Sequence, residues 1–121
     1  MTSDRTAFAH DAVLTMDDGD DRAPGGAITV ALCGSWSHDP PCPLAPHHTR
    51  ATRSGPEVTL RVLFAADPAD EDEVRRRIDE ALARGWGDDP AGDRTTWEVV
   101  STRPSPVAPG ELEHAQRLMR S

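Results

Sequence analysis

Two stretches of the chain alternate apolar and polar residues with the period of a strand. In "AITVALCGSW", residues 27–36, Ile28, Val30, Leu32 and Trp36 fall on one side and Thr29, Ala31 and Cys33 on the other. That alternation predicts a first strand. In "EVTLRVLF", Val58, Leu60, Val62 and Phe64 oppose Glu57, Thr59 and Arg61. Such a pattern belongs to a sheet with one buried face and one partly wet face.

The period changes after Phe64. Asp67 is placed to cap a helix, Pro68 suits its first position, and the acids at 70–73 complement its positive end. Val74, Ile78, Ala81 and Leu82 then form an apolar stripe at helical spacing. Glu71–Arg75, Asp72–Arg76 and Glu73–Arg77 are acid-first i,i+4 pairs, and Gly85 is placed to end the helix with Trp86 folding back on it. After the turn "GDDPAGDR", "TTWEVVS" predicts a third strand. Prolines 104, 106 and 109 remove "RPSPVAP" from regular structure. A short closing helix in "GELEHAQRLMRS" presents Leu112, Ala115 and Leu118 or Met119.

The expected architecture is α+β: a small three- to four-stranded mixed sheet with two helices on one face, a ferredoxin-like open sandwich. Residues 1–26 read as a flexible acidic N-terminal segment and 27–121 as a single α+β domain. Within 1–26, "TAFAHDAVLTM" suits a short helix or an edge strand, and "DDGDDRAPGG" an acidic break without EF-hand spacing. The first two strands are expected to be antiparallel neighbours joined by a long loop, 37–56. The helix between the next two implies a right-handed parallel crossover. A fourth strand from 12–16, or a homodimer contact, would cover an exposed edge.

Composition changes this picture in three ways. The length of 121 residues bounds the chain to one domain, with few aromatics (two Phe, three Trp, no Tyr) to build its core. Arginine is the sole cationic side chain besides histidine, and Lys and Asn are absent, as in GC-rich bacterial coding. The net charge of −8 argues against a general nucleic-acid binder. The charge is uneven, however. Between 37 and 56 one acid, Asp39, faces two arginines, Arg50 and Arg53, a local net of +1 that leaves −9 for the remainder. A mildly basic island in an acidic chain favours an anionic ligand or partner. No secretory signal and no apolar run long enough to span a bilayer is visible, so a cytoplasmic location is expected.

Candidate chemistry gathers in that same region. "CGSWSHDPPCPLAPHH", residues 33–48, holds both cysteines and three of the five histidines. Cys33, His38, Cys42 and one of His47 and His48 offer thiolates and imidazoles for a tetrahedral ion, Zn(II) first and Cu(I) as the alternative. The chain must turn at Gly34 for Cys33 and His38 to converge. His47 and His48, being adjacent, diverge if extended, so one of them is the better ligand. Asp39 is placed to support a ligating imidazole, and Arg50 and Arg53 to contact an anion. The alternatives are ordinary loop residues with Cys33 as a small buried hydrophobe, or redox chemistry with a Cys33–Cys42 disulfide. The functions these residues allow are three. They are a metal-binding module presenting "HHTRATR" to a partner or anionic ligand, a metal-dependent or thiol enzyme using the same loop, and a plain interaction domain.

Overall fold

The computed structural model of the chain describes residues 5–33 and 45–120, apart from the side chain of Cys33. In chain order it contains β1 (Thr6–Thr15), α1 (Ala23–Cys33), β2 (His47–Ser54), β3 (Glu57–Ala66), α2 (Glu71–Ala83), β4 (Trp86–Asp88), β5 (Arg94–Thr96), β6 (Glu98–Ser105) and α3 (Leu112–Met119). The fold is α+β, with a four-stranded sheet in the order β2-β3-β1-β6 and a small β4-β5 ribbon. Every pair of neighbours in both is antiparallel. No described helix is long and apolar enough to cross a membrane.

The strand expected at 27–36 is instead helix α1. Its apolar run fits both periods, and tertiary burial decides between them. Ala23, Ala27, Ile28 and Leu32 are all buried in the main core, and no residue from Ala23 to Cys33 is charged. The side of the helix that meets solvent carries Val30, which is 41% exposed, rather than charged residues, so no polar face marks its period. Close packing is built in at Gly87, where a Cβ would lie 3.2 Å from the Ala23 carbonyl oxygen and 3.0 Å from the Trp97 ring.

Part of the segment 1–26 is not peripheral as read from the sequence. Thr6–Thr15 of that segment forms β1, which lies between β3 and β6. Phe8, Ala12 and Leu14 face the core with His10 among them. The segment's small alanines and its polar His10 and Asp11 hide the strand from a hydrophobicity count.

The long loop shrinks likewise, since His47–Ser54 pairs with β3 along its whole length in a hairpin turned at Gly55 (φ +59°) and Pro56. β3 and β6 run parallel as the crossover required, but β1 sits between them, so the sheet is not mixed. β6 also runs through Pro104 to Ser105, which an outer strand tolerates because its missing N–H faces away from the ladder.

Helix α2 follows its sequence signals closely. The Asp67 carboxylate accepts from the Ala69 N–H at 2.9 Å and opens a 3-10 turn, Pro68–Asp70, that leads into the helix. Val74, Ile78 and Leu82 are buried. Arg75 pairs with Glu71 and Arg77 with Glu73, whereas Arg76 turns to Glu73 and Glu80 rather than to Asp72. Gly85 adopts φ +79° and closes the helix. The ring that folds back is Trp97, whose Nε1–H donates to the Leu82 carbonyl at 2.9 Å. Trp86 lies instead between the guanidinium groups of Arg84 and Arg94.

Helices α1 and α2 cover one face of the sheet, where Leu14, Leu60, Val62, Phe64, Ile78 and Leu82 form the core. The two helices expected on one face were α2 and the closing helix, but α3 packs on the opposite face. There Ala115 and Leu118 meet Ala9, Leu63 and Ala65 in a second, smaller cluster. Leu112, expected in that apolar contact, is 54% exposed.

Candidate functional site

The face of the sheet away from α1 and α2 is built in three rows, each set by strand register. The first row reads His48–Leu63–Ala9–Ser105 across β2, β3, β1 and β6. The second reads Arg50–Arg61–Asp11–Arg103, and the third Thr52–Thr59–Val13–Ser101. α3 lies over the first row. The second and third rows line a recess of about 340 Å³.

Arg61 anchors this face. Its Nε–H and one Nη2–H donate to the two carboxylate oxygens of Glu111, at 3.2 and 2.7 Å. Nη1 donates to Asp11 Oδ1 at 2.9 Å and to Ser105 Oγ at 2.6 Å, and Nη2 also reaches the Pro106 carbonyl at 2.8 Å. Every donor direction of the guanidinium is used. The Arg61 guanidinium, aided by the Ala108 N–H, holds the Glu111 carboxyl down at about 2, against the cost of partial burial. Glu111 immediately precedes α3, so this ion pair ties the helix to the sheet.

Arg50 stands directly opposite Arg61 in the β2–β3 register. Like charges in that position destabilise a sheet. Arg61 has Asp11 and Glu111 to neutralise it, whereas neither Arg50 nor Arg103 has an ion pair among the described residues. Beside Arg50, the rings of His48 and His114 meet with centroids 4.7 Å apart and planes tilted by 54°. Partial burial, then His114, then Arg50 push the His48 pKa down. This end of the face thus gathers Arg50 and two imidazoles, and the charged form of His48 is disfavoured there.

The sequence-derived ligands fall in three places. His38, Asp39 and Cys42 lie outside the described residues, as do Gly34 and Trp36; Cys33 ends α1, its side chain also outside them. His47 and His48 diverge as extended neighbours do. His47 is on the α1 side, its Nδ1–H donating to the Ala45 carbonyl at 3.2 Å and its Nε2 lying 2.9 Å from Thr29 Oγ1. His48 is on the open face. Among the described residues no three His, Cys, Asp or Glu side chains gather as a metal set. Arg53 is not placed for an anion, because its guanidinium donates to the carbonyls of Gly55, Gly19 and Met16.

A second polar site was invisible in the sequence. His10 is 1% exposed on the core side of β1. Arg75 Nη1–H donates to its Nδ1 at 2.9 Å, so the proton is on Nε2 and donates to Asp79 Oδ1 at 2.9 Å. Arg75 also pairs with Glu71, donates to the Ala9 carbonyl and lies over the rings of Phe8 and Phe64. A recess of about 530 Å³ opens beside this network. Both imidazole nitrogens are engaged, and the network ties β1 to α2. Its only sequence signal was a histidine inside an alternating apolar stripe. Comparison with protein-family models, with curated proteins and with solved structures finds no match to this chain.

Proposed function

We propose that the protein is a small binding module that takes an anionic ligand on the open face of its sheet. The observation that carries this reading is Arg50, set opposite the fully engaged Arg61 and without an acid partner among the described residues. A chain of net charge −8 has ample carboxylates to pair with an arginine there, yet Arg50 feels Glu111 only as a neighbouring charge that Arg61 already binds, and like charges opposed across a ladder cost stability that a bound anion would offset. Arg103 supplies a second cation across the recess, and Thr52, Thr59 and Ser101 supply hydroxyl donors below the row. The basic island recognised in the sequence, "HHTRATR", contributes Arg50 and Thr52 from β2.

The scaffold reading that accompanies it is a ferredoxin-like sandwich. Its support is the order β2-β3-β1-β6, with α1 leading from β1 to β2 and α2 from β3 to β6, each connection spanning one intervening strand.

Calorimetric titration with inorganic phosphate, pyrophosphate and citrate tests the proposal. Binding that weakens with added salt and is lost in Arg50→Ala and Arg103→Ala is the expected result. Unmeasurable binding of all three anions to folded protein would refute it.

A metal-binding segment remains a second reading, favoured by His47. A backbone carbonyl holding Nδ1–H is the usual orienting partner of an imidazole that ligates through Nε2, and His47 shares the α1 side with the helix that ends in Cys33. Zinc, or Cu(I), would then be held by Cys33, His38, Cys42 and His47, with Thr29 Oγ1 giving up its contact to Nε2. Elemental analysis of the purified protein together with thiol titration checks this. Stoichiometric metal with two protected thiols is the expected result, and metal-free protein with two reactive thiols removes it.

A further inference from the structure

We infer that the ligand of the open face is an aliphatic α,ω-dicarboxylate, held at its two ends by Arg50 and Arg103 with its uncharged middle lying over Val13. The inference rests on the anion-binding reading above and adds the charge, shape and length of what binds.

Strand register makes two matching half-sites. Arg50 and Thr52 are two residues apart on β2 and share its outward face, and Arg103 and Ser101 do the same on β6. The pairing sets Arg50 in one row with Arg103 and Thr52 in the next with Ser101. All four line the same recess. β2 and β6 are the two outer strands of the sheet, so each end of the recess offers one guanidinium and one hydroxyl.

The middle of the row is different. Arg61 is met there by two carboxylates, Asp11 and Glu111, so the charge between the half-sites is on balance negative. A third anionic group is repelled from that position. In the next row the middle positions are Thr59 and the half-buried Val13, and an alkyl spacer gains by covering that side chain. The charge runs positive, negative, positive across the sheet, and its complement is a ligand with its own charge at both ends and none between.

Charge and span narrow the class. Each end presents one guanidinium, which a single carboxylate neutralises in a two-pronged pair. A phosphate monoester at each end would bring about 1.5 to 2 negative charges against one positive. Three strand spacings set the Cα atoms of Arg50 and Arg103 about 14 Å apart. A hydrogen bond of about 2.9 Å at each end leaves about 8 Å for the ligand if both side chains rise straight from the sheet, and less as they lean inward. That is the reach of adipate or suberate.

Calorimetric titration of the full-length protein at neutral pH and matched ionic strength tests this with malonate, glutarate, adipate, suberate and sebacate, and with hexanoate as a one-ended control. Adipate or suberate is expected to bind about tenfold or more tighter than malonate and hexanoate, because the first end to bind raises the local concentration of the second. Arg50→Ala and Arg103→Ala, both at exposed positions, are each expected to bring the dicarboxylates down to the hexanoate level and to abolish the dependence on length. Circular dichroism verifies that both variants are folded. Affinity that is flat with length, or greatest for malonate or inorganic phosphate, overturns the two-ended ligand, while its loss in the arginine variants keeps the anion site. Binding of the series that neither substitution weakens lies elsewhere and overturns the inference and the site together. Unmeasurable binding of the series and of phosphate, pyrophosphate and citrate likewise removes both.

Discussion

The two faces of the sheet are built from the same four strands and obey opposite rules. On the face under α1 and α2, β3 contributes Val58, Leu60, Val62, Phe64 and Ala66, all essentially inaccessible to solvent. On the other face the same strand contributes Thr59 and Arg61 before it reaches Leu63 and Ala65 under α3. The closed face is held by dispersion and apolar burial, which are non-directional and tolerate no vacancy. The open face is held by a hydrogen-bonded arginine and a small apolar patch, so its helix is attached at few points. Stability is concentrated on one side of the sheet, and uncompensated charge on the other. A binding surface is cheaper to place where it does not compete with the core.

The sharpest way to break that comparison is to remove bulk from each side. Phe64→Ala should cost about 3–5 kcal/mol, because a fully buried ring leaves a cavity and takes with it the contacts to Phe8 and the Arg75 guanidinium. Leu63→Ala, on the α3 side of the same strand, should cost no more than about 2 kcal/mol, at the low end for such a truncation, because a short helix can settle onto the smaller residue. Urea unfolding of the two variants measures both. Equal losses would mean that α3 is as integral as the core.

The attachment of α3 sharpens the comparison at the next scale. Glu111→Gln removes the charge from a bidentate pair with Arg61 and should cost about 1–3 kcal/mol. Hydrogen exchange should then quicken in Leu112–Met119 ahead of the core strands. Acid acts on the same contacts in two stages. The His48 pKa is lowered in the folded protein, so the unfolded chain takes up more protons as pH drops below about 6.5, and stability begins to fall there. The Glu111 pKa is lowered from 4.5 to about 2, so its contribution is whole above about 4.5 and is lost as pH falls towards 2. A pH series of hydrogen exchange at 112–119 should show both stages in wild type, only the second in His48→Gln and only the first in Glu111→Gln.

What was legible in the sequence follows the same division. β3 and α2 each carry two agreeing signals, an alternating stripe in one and a cap with an apolar stripe in the other, and both formed as expected. α1 defeated the reading because burial on several sides removed the polar residues that reveal a helical period. β1 defeated it by satisfying polar groups inside the fold: His10 is paired by Arg75 and Asp79, and Asp11 by Arg61. β2 is so polar that only its register against β3 makes it a strand. Arg50 was legible as part of a basic island. Its setting was not, because Arg61, Asp11 and Arg103 come from strands distant in sequence and meet it only through register. Arg53, equal to Arg50 in the sequence, differs only in pointing to the other side, where carbonyls engage it.

Arg50→Ala has the smallest expected effect on stability, and its sign carries most of its meaning. A surface arginine in a satisfied ion pair would leave stability unchanged or lower on truncation. Arg50 instead faces Arg61 across the β2–β3 ladder and lowers the charged form of His48 beside it. Removing it forfeits a weaker attraction to Glu111 but relieves the repulsion from Arg61 directly opposite, and should raise stability by about 0.2–0.5 kcal/mol at low ionic strength, fading with added salt. Thermal unfolding in a salt series measures that gain, and anion titration of the same protein measures what was lost. A gain in stability with a loss of anion binding marks a residue kept for its ligand at the expense of the fold. A loss of stability would place Arg50 among the groups that hold the open face together, and the two faces would then differ in chemistry but not in purpose.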